Sequence, residues 1–322
     1  MVDKNSKKFN YLAQLGILLG LTCAGFIAVL ILSALIWVMM QGLTFPAKNS
    51  DIFQLKYYNT LMVIQAVTTF FLFFLPVYVF AMICYKRPYK FLGFNLRFNF
   101  KQILLVLSIL LLTFPLSAAL GEWTKLLPIP ESWAIKFKAM EVAREAQEAT
   151  LIQINSFSKY IISLFIIGLL PGIFEETFFR AGMQNLFTRW FRGPWIAIIL
   201  TSIIFSIIHA SFYGFFVRFG LGVILGFIFY YSGSLWLSIL LHFLFNGIQV
   251  TALYAMNMSG NIKQAKDLEK NLPMWAGLVS LALIFYLFIL FKKVSEAKLA
   301  KYPEEEFPDN DFDNWTAIQP KL

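Results

Sequence analysis

The sequence predicts an all-α protein, a polytopic bundle of about eight transmembrane helices, and three observations predict it. Of 322 residues, 59% are hydrophobic, 36 are Phe and only 14% are charged, well below the roughly 25% charge of a soluble domain. Several runs reach or approach the ~20 apolar residues that cross a bilayer core. Basic residues gather at the ends of those runs, as in multi-pass membrane proteins. Soluble packing cannot hide so much continuous apolar surface, so lipid is the expected solvent and the principal partner.

The spans fall at 11–41, 57–85, 102–120, 158–190, 195–213, 215–232, 235–257 and 274–291. The first follows Lys4, Lys7 and Lys8 and is too long for the apolar core of a signal peptide. The first, second and fourth exceed what a bilayer needs, so they tilt or protrude. The fourth contains Pro171-Gly172, where a kink is expected. Gly220, Gly222 and Gly226 in the sixth have the spacing of a close-packing face. The last ends at Lys292-Lys293. A cytoplasmic N-terminus places those lysines, Lys86-Arg87 and Arg189 on the inner side. Eight crossings then return the C-terminus to the cytoplasm.

Two segments read as water-exposed. Residues 131–150 form a charged helix with a weak apolar stripe at Ile135, Ala139, Val142 and Ala146, either a solvated loop helix or a lid that touches substrate. The tail EEEFPDNDFDNW is acidic and expected to be disordered. The chain therefore divides into N-terminal membrane helices with a loop helix (1–150), a site-bearing helical core (151–257), a loop with the last span (258–291) and a cytoplasmic tail (292–322). The net charge of +9 follows from the helix-end lysines and arginines and does not point to nucleic acid. Cys23 and Cys84 sit in apolar runs as small buried residues and suggest no disulfide.

An ionisable group at membrane depth costs roughly 2.5–3.5 kcal/mol on insertion scales and is a functional-site hypothesis by default. The only two histidines, His209 and His242, both lie in apolar runs, and the adjacent acids Glu175 and Glu176 lie in a third. Glu176 precedes Arg180 by four residues, the favourable order for an ion pair on one helix face. Glu175 is turned about 100° away and points elsewhere, so the doublet divides into one structural and one working acid. Phe205 shares a face with His209 and can pack against it. His242 shares a face with Asn246, and an imidazole beside an amide suits a developing oxyanion. At ~1.5 Å per residue, Glu175, His209, His242 and Asn246 lie about 22, 21, 12 and 18 Å from the cytoplasmic helix ends. They can converge on one cavity. HExxH, GxSxG, P-loop and CxxC patterns are absent from the sequence.

Glu175-Glu176-x-x-x-Arg180, Phe205-x-x-x-His209 and His242-x-x-x-Asn246, in this order on three apolar segments, resemble the CPBP family of intramembrane proteases. That family includes the CAAX prenyl endopeptidase Rce1 and bacterial relatives linked to bacteriocin processing and immunity. The resemblance covers about 155–255 and uses both histidines. It implies an endopeptidase in which Glu175 and His209 activate a water, His242 and Asn246 stabilise the oxyanion, and Glu176 and Arg180 support the site. The substrate would be a membrane-associated protein or peptide. The family has been described both as metalloproteases and as metal-free glutamate proteases. Glu175, His209 and His242 would form the zinc set, but Asn246 completes a site that works without metal, and no cofactor is the favoured reading. A non-catalytic scaffold or immunity factor, or a proton-coupled transporter, would use the same residues differently.

Overall fold

The computed structural model describes residues 9–44, 46, 54–151, 154–259 and 273–299. These fold into helices, with no strand among them: α1 Tyr11–Gln41, α2 Tyr58–Cys84, α3 Phe100–Lys125, α4 Glu131–Leu151 and α5 Phe157–Phe191. Then follow α6 Pro194–Ile208, α7 Phe215–Ser232, α8 Leu235–Ser259 and α9 Met274–Leu299. Seven of these are long and apolar enough to span a bilayer. The N-terminal lysines and the acidic tail lie outside the described residues. The last helix runs to Leu299, past the predicted tail boundary at 292.

Local chemistry sets the helix ends. Asn10 caps α1 by accepting from the Ala13 amide at 2.8 Å. Asn99 and Gln102 form a reciprocal capping box at the start of α3, each satisfying an amide that a helix N-terminus leaves without a partner. Ser156 does the same for α5 through the Lys159 amide. Gly233 closes α7 with φ 64°, a conformation that glycine adopts without steric penalty.

Three long helices contain interior prolines: Pro115 lies within the continuous α3 helix, while α2 and α5 each precede theirs with a wider turn. Pro76 follows a π-helical stretch at Phe70–Phe74. Pro171 follows another at Leu164–Leu169. A third π stretch, Thr177–Gln184, comes immediately after Glu176. Proline lacks the N–H that a helix interior uses and crowds the carbonyl four residues back. A π turn displaces that carbonyl, and such turns concentrate at functional sites.

The span predicted at 195–213 is corrected. Its helix stops after 15 residues at Ile208, and His209 ends it rather than lying within it. The His209 and Ala210 amides make shorter-range bonds to Ser206 and Ile207, which tighten the last turn. Ala210 then takes a left-handed φ of 48°, which costs a non-glycine residue roughly 1–2 kcal/mol. Ser206 Oγ donates to the Phe215 carbonyl at 2.6 Å and ties the end of α6 to the start of α7.

The exterior is apolar, as lipid requires: Phe26 and Ile31 on α1, Trp195 and Ile207 on α6, and Leu278 and Phe285 on α9 are exposed. One buried cluster joins α1, α2, α5, α6, α7 and the start of α8 through residues such as Leu18, Phe80, Phe179, Ile198 and Ile239. Another joins α3, α7, α8 and α9 through Ile109, Leu225, Leu241 and Phe291. The α7 and α8 helices contribute to both clusters and join them. Cys84 is buried as expected, whereas Cys23 is exposed; the two form no disulfide.

Glycines set the closest approaches. The predicted small face of α7 is used: a Cβ on Gly222 would lie 3.0 Å from Ser202, and one on Gly226 2.9 Å from Ile198, both on α6. At α5 and α8, a Cβ on Gly172 would lie 3.3 Å from the Phe243 amide nitrogen and 3.5 Å from the Ile239 carbonyl. Those are backbone atoms and cannot turn aside. Gly172→Ala is therefore expected to destabilise the folded protein by about 1–3 kcal/mol, and Gly172→Leu by more. Thermal unfolding of the detergent-solubilised variants measures this, and an unchanged midpoint for Gly172→Leu contradicts the close approach.

Candidate active site

The close approach of α5 and α8 brings Glu176 to His242. Glu176 is fully buried, and each of its oxygens has its own partner. Arg180 Nε donates to Oε2 at 3.0 Å, the ion pair expected from the i,i+4 spacing. His242 Nδ1 donates to Oε1 at 2.9 Å. The second contact, between residues 66 apart in sequence, is the one that sequence reasoning missed; the local spacing of either motif carries no signal for it. Glu176 thus binds its own helix to α8.

Glu175, expected to point elsewhere, instead faces the other nitrogen of the His242 imidazole. Its Oε2 lies 4.0 Å from His242 Nε2, beyond a direct hydrogen bond. Both nitrogens of His242 therefore face carboxylates, one bonded and one across a gap. Glu175 and His242 are buried, whereas His209 and Asn246 are half-buried. The site is consequently most exposed at His209 and Asn246.

His209 is held by its own helix end. Its Nδ1 lies 2.7 Å from the Phe205 carbonyl oxygen. A carbonyl only accepts, so Nδ1 carries the proton and Nε2 of the neutral ring is the free nitrogen. The Phe205 ring meets His209 edge-on at 4.8 Å, as its shared face predicts. It also meets His242 at 6.1 Å and lies under the Arg180 guanidinium at 5.7 Å. One apolar ring therefore packs against both imidazoles and the supporting cation, a wider role than the sequence suggested.

Asn246 Nδ2 donates to the Ile167 carbonyl at 3.4 Å. Ile167 lies four residues before Pro171, which has no N–H to give it. The proline thus leaves a backbone acceptor for the side chain of α8. Ser206 and Ser238, close to the motifs in sequence, donate to the Phe215 and Leu225 carbonyls and act in packing.

The zinc arrangement of Glu175, His209 and His242 is not assembled: among the described residues, no group of three or more His, Cys, Asp or Glu is placed to hold a metal ion. The Nδ1 atoms of both histidines are engaged by oxygen partners.

The helices and their buried ionisable groups define an integral, multi-pass membrane protein with a polar site enclosed by α5, α6 and α8. Residues 157–248, which include all of these groups, match the family model described as Type II CAAX prenyl endopeptidase Rce1-like. The match is consistent with the CPBP family of intramembrane proteases that the three motifs resemble, and it supports a peptidase at the family level. No curated protein and no solved structure matches the chain.

Removing either partner of a buried ion pair leaves an uncompensated charge, at roughly 3–5 kcal/mol. Glu176→Ala and Arg180→Ala are each expected to lose stability on that scale and to lower the folded yield. Glu176→Gln, which keeps an oxygen for His242, is expected to lose less. Size-exclusion profiles and unfolding midpoints of the purified variants test the order.

Proposed function

We propose that the protein is an intramembrane endopeptidase that hydrolyses a peptide bond in a membrane-associated protein or peptide. The observation that supports this most is the packing of both imidazoles against one ring, Phe205, with Glu175 Oε2 4.0 Å from His242 Nε2, inside the segment that matches the peptidase family. An attacking water lies between His209 Nε2 and the Glu175 carboxylate; this pair takes one of its protons as the oxygen attacks the carbonyl carbon and delivers it to the amine nitrogen as the C–N bond breaks. The tetrahedral oxyanion accepts from Asn246, whose amide has a second N–H besides the one given to Ile167, and from His242 when its Nε2 carries a proton. Glu176 and Arg180 position His242 without touching the reacting atoms. The side chains named here supply both the activated water and the oxyanion donors without an added cofactor.

Glu175→Gln, His209→Asn and His242→Asn remove proton transfer with little change in volume. Each is expected to lower cleavage at least 10²-fold, within the ~10²–10⁴-fold typical of general acid–base groups, while the protein still inserts and folds. Mass-spectrometric comparison of new peptide termini in membranes from cells with wild type and Glu175→Gln would reveal cleavage and substrate together. Identical termini in the two samples would overturn the peptidase reading and favour a scaffold.

The same proposal places both chain ends in the cytoplasm, because Lys86-Arg87, Arg189 and Lys292-Lys293 all fall on one side of the bundle under that orientation. A cysteine added after Leu322, on a Cys23→Ser, Cys84→Ser background, is expected to resist a membrane-impermeant thiol reagent in intact cells and to react after lysis. Labelling in intact cells would reverse the orientation.

A further inference from the structure

The α4 helix lies outside the three site helices, and its packed face is not the predicted stripe. Ile135 and Val142 are exposed, while Ala134, Phe137, Glu141 and Arg144 are partly covered. Those residues recur at intervals of three and four and so share one face. That face meets the turn at 209–214, which begins with His209.

Two contacts join them. The Phe137 and Phe212 rings stack at 4.5 Å with an interplanar angle of 1°. Ser211 Oγ donates to Glu141 Oε2 at 2.8 Å. Ser211 in turn accepts the Gly214 amide at 3.0 Å, so the serine that Glu141 holds also closes the turn. Glu141 is fixed on its own helix by Arg144, whose Nε donates at 3.1 Å. Burial alone would raise the Glu141 carboxyl, but the bonds from Arg144 and Ser211, with the charges of Arg144 and Arg218, hold it below the ordinary carboxylate range. It is an acceptor at neutral pH.

The turn needs such a hold. Ala210 is in the left-handed region, and nothing in its own chemistry favours it there. A strained residue persists where its surroundings over-determine it. Ala210 separates His209 from Ser211 by a single residue, so a shift of Ser211 turns the His209 backbone, and with it the imidazole.

We propose that Glu141 is a positioning residue for His209: through Ser211, and with Phe137 on Phe212, the α4 helix clamps the 209–214 turn and fixes the imidazole that ends α6. The proposal rests on the peptidase reading for its effect on cleavage, but not for its effect on His209.

The chain's two histidines make this directly testable. The full-length protein in nanodiscs, labelled with ¹³C at histidine Cε1, gives two imidazole signals, and His209→Asn assigns them. Glu141→Ala and Ser211→Ala are each expected to shift and broaden the His209 signal and to leave that of His242 in place. Glu141→Gln, which keeps an oxygen for Ser211, is expected to restore the wild-type signal. In membranes, Glu141→Ala is expected to slow the Glu175-dependent cleavage about 10- to 100-fold, the scale of a small misplacement of a reacting group. An unmoved His209 signal in Glu141→Ala and Ser211→Ala overturns the proposal. So does an equal shift at His242, which would mean general loosening. If Glu141→Ala moves the His209 signal while His209→Asn cleaves normally, the positioning stands and the peptidase reading fails.

Discussion

A carboxylate removed from water must be paired, and Glu176 is fully buried. Its two oxygens can satisfy that requirement only with donors brought to it, and the bundle supplies one from its own helix and one from α8. Much of the local architecture follows. Arg180 must point back along α5, and His242 must turn Nδ1 inward, leaving Nε2 toward Glu175. Low dielectric strengthens each of these bonds and penalises the loss of any one of them. The ion pair therefore acts less as a source of net stability than as a fixture that admits one arrangement of α5 against α8.

Backbone features between residues 164 and 184 of α5 make that arrangement accessible. Gly172 lets α8 approach until only backbone separates the helices. Pro171, beside it, withholds the N–H that would otherwise occupy Ile167, and Asn246 uses the carbonyl. The π turns on either side of the acids widen the helix and allow both Glu175 and Glu176 to be buried, although adjacent residues on an α-helix diverge by about 100°. A short stretch thus sets the distance, the register and the polarity of the contact.

Most of the membrane architecture was legible in the sequence because lipid demands long uninterrupted apolar runs. The candidate site residues were legible for the converse reason, since an ionisable side chain within such a run needs a purpose. Three features were not. The end of α6 at Ile208 was missed because the following residues, His209 to Tyr213, are mostly apolar and the reversal is made by an alanine, without the glycine or proline that marks most breaks. The packed face of α4 was missed because a helix that touches the bundle over a few turns uses one ring and one acid, Phe137 and Glu141, and hydrophobic periodicity does not count an acid. The bond between Glu176 and His242 was missed because it joins helices distant in sequence, and only packing decides which nitrogen meets which oxygen.

The short α6 helix also acts on the surrounding lipid. Its 15 residues rise about 22 Å at ~1.5 Å per residue, against roughly 30 Å of hydrocarbon in a typical bilayer. Its flank, with Trp195, Ile196, Ile199 and Ile207, is exposed and faces acyl chains that exceed its length. Lipids adapt to such a mismatch by thinning, at fractions of a kcal/mol per Å. The headgroup layer is then expected to dip beside the helix that ends in His209. A peptide bond must shed its helical hydrogen bonds before water can attack it, and in full-thickness hydrocarbon each exposed amide would cost several kcal/mol. Under the proposed peptidase function, a dimple in the bilayer would shorten the apolar distance that an unwinding segment has to cross, and the membrane itself would become part of the path to the site.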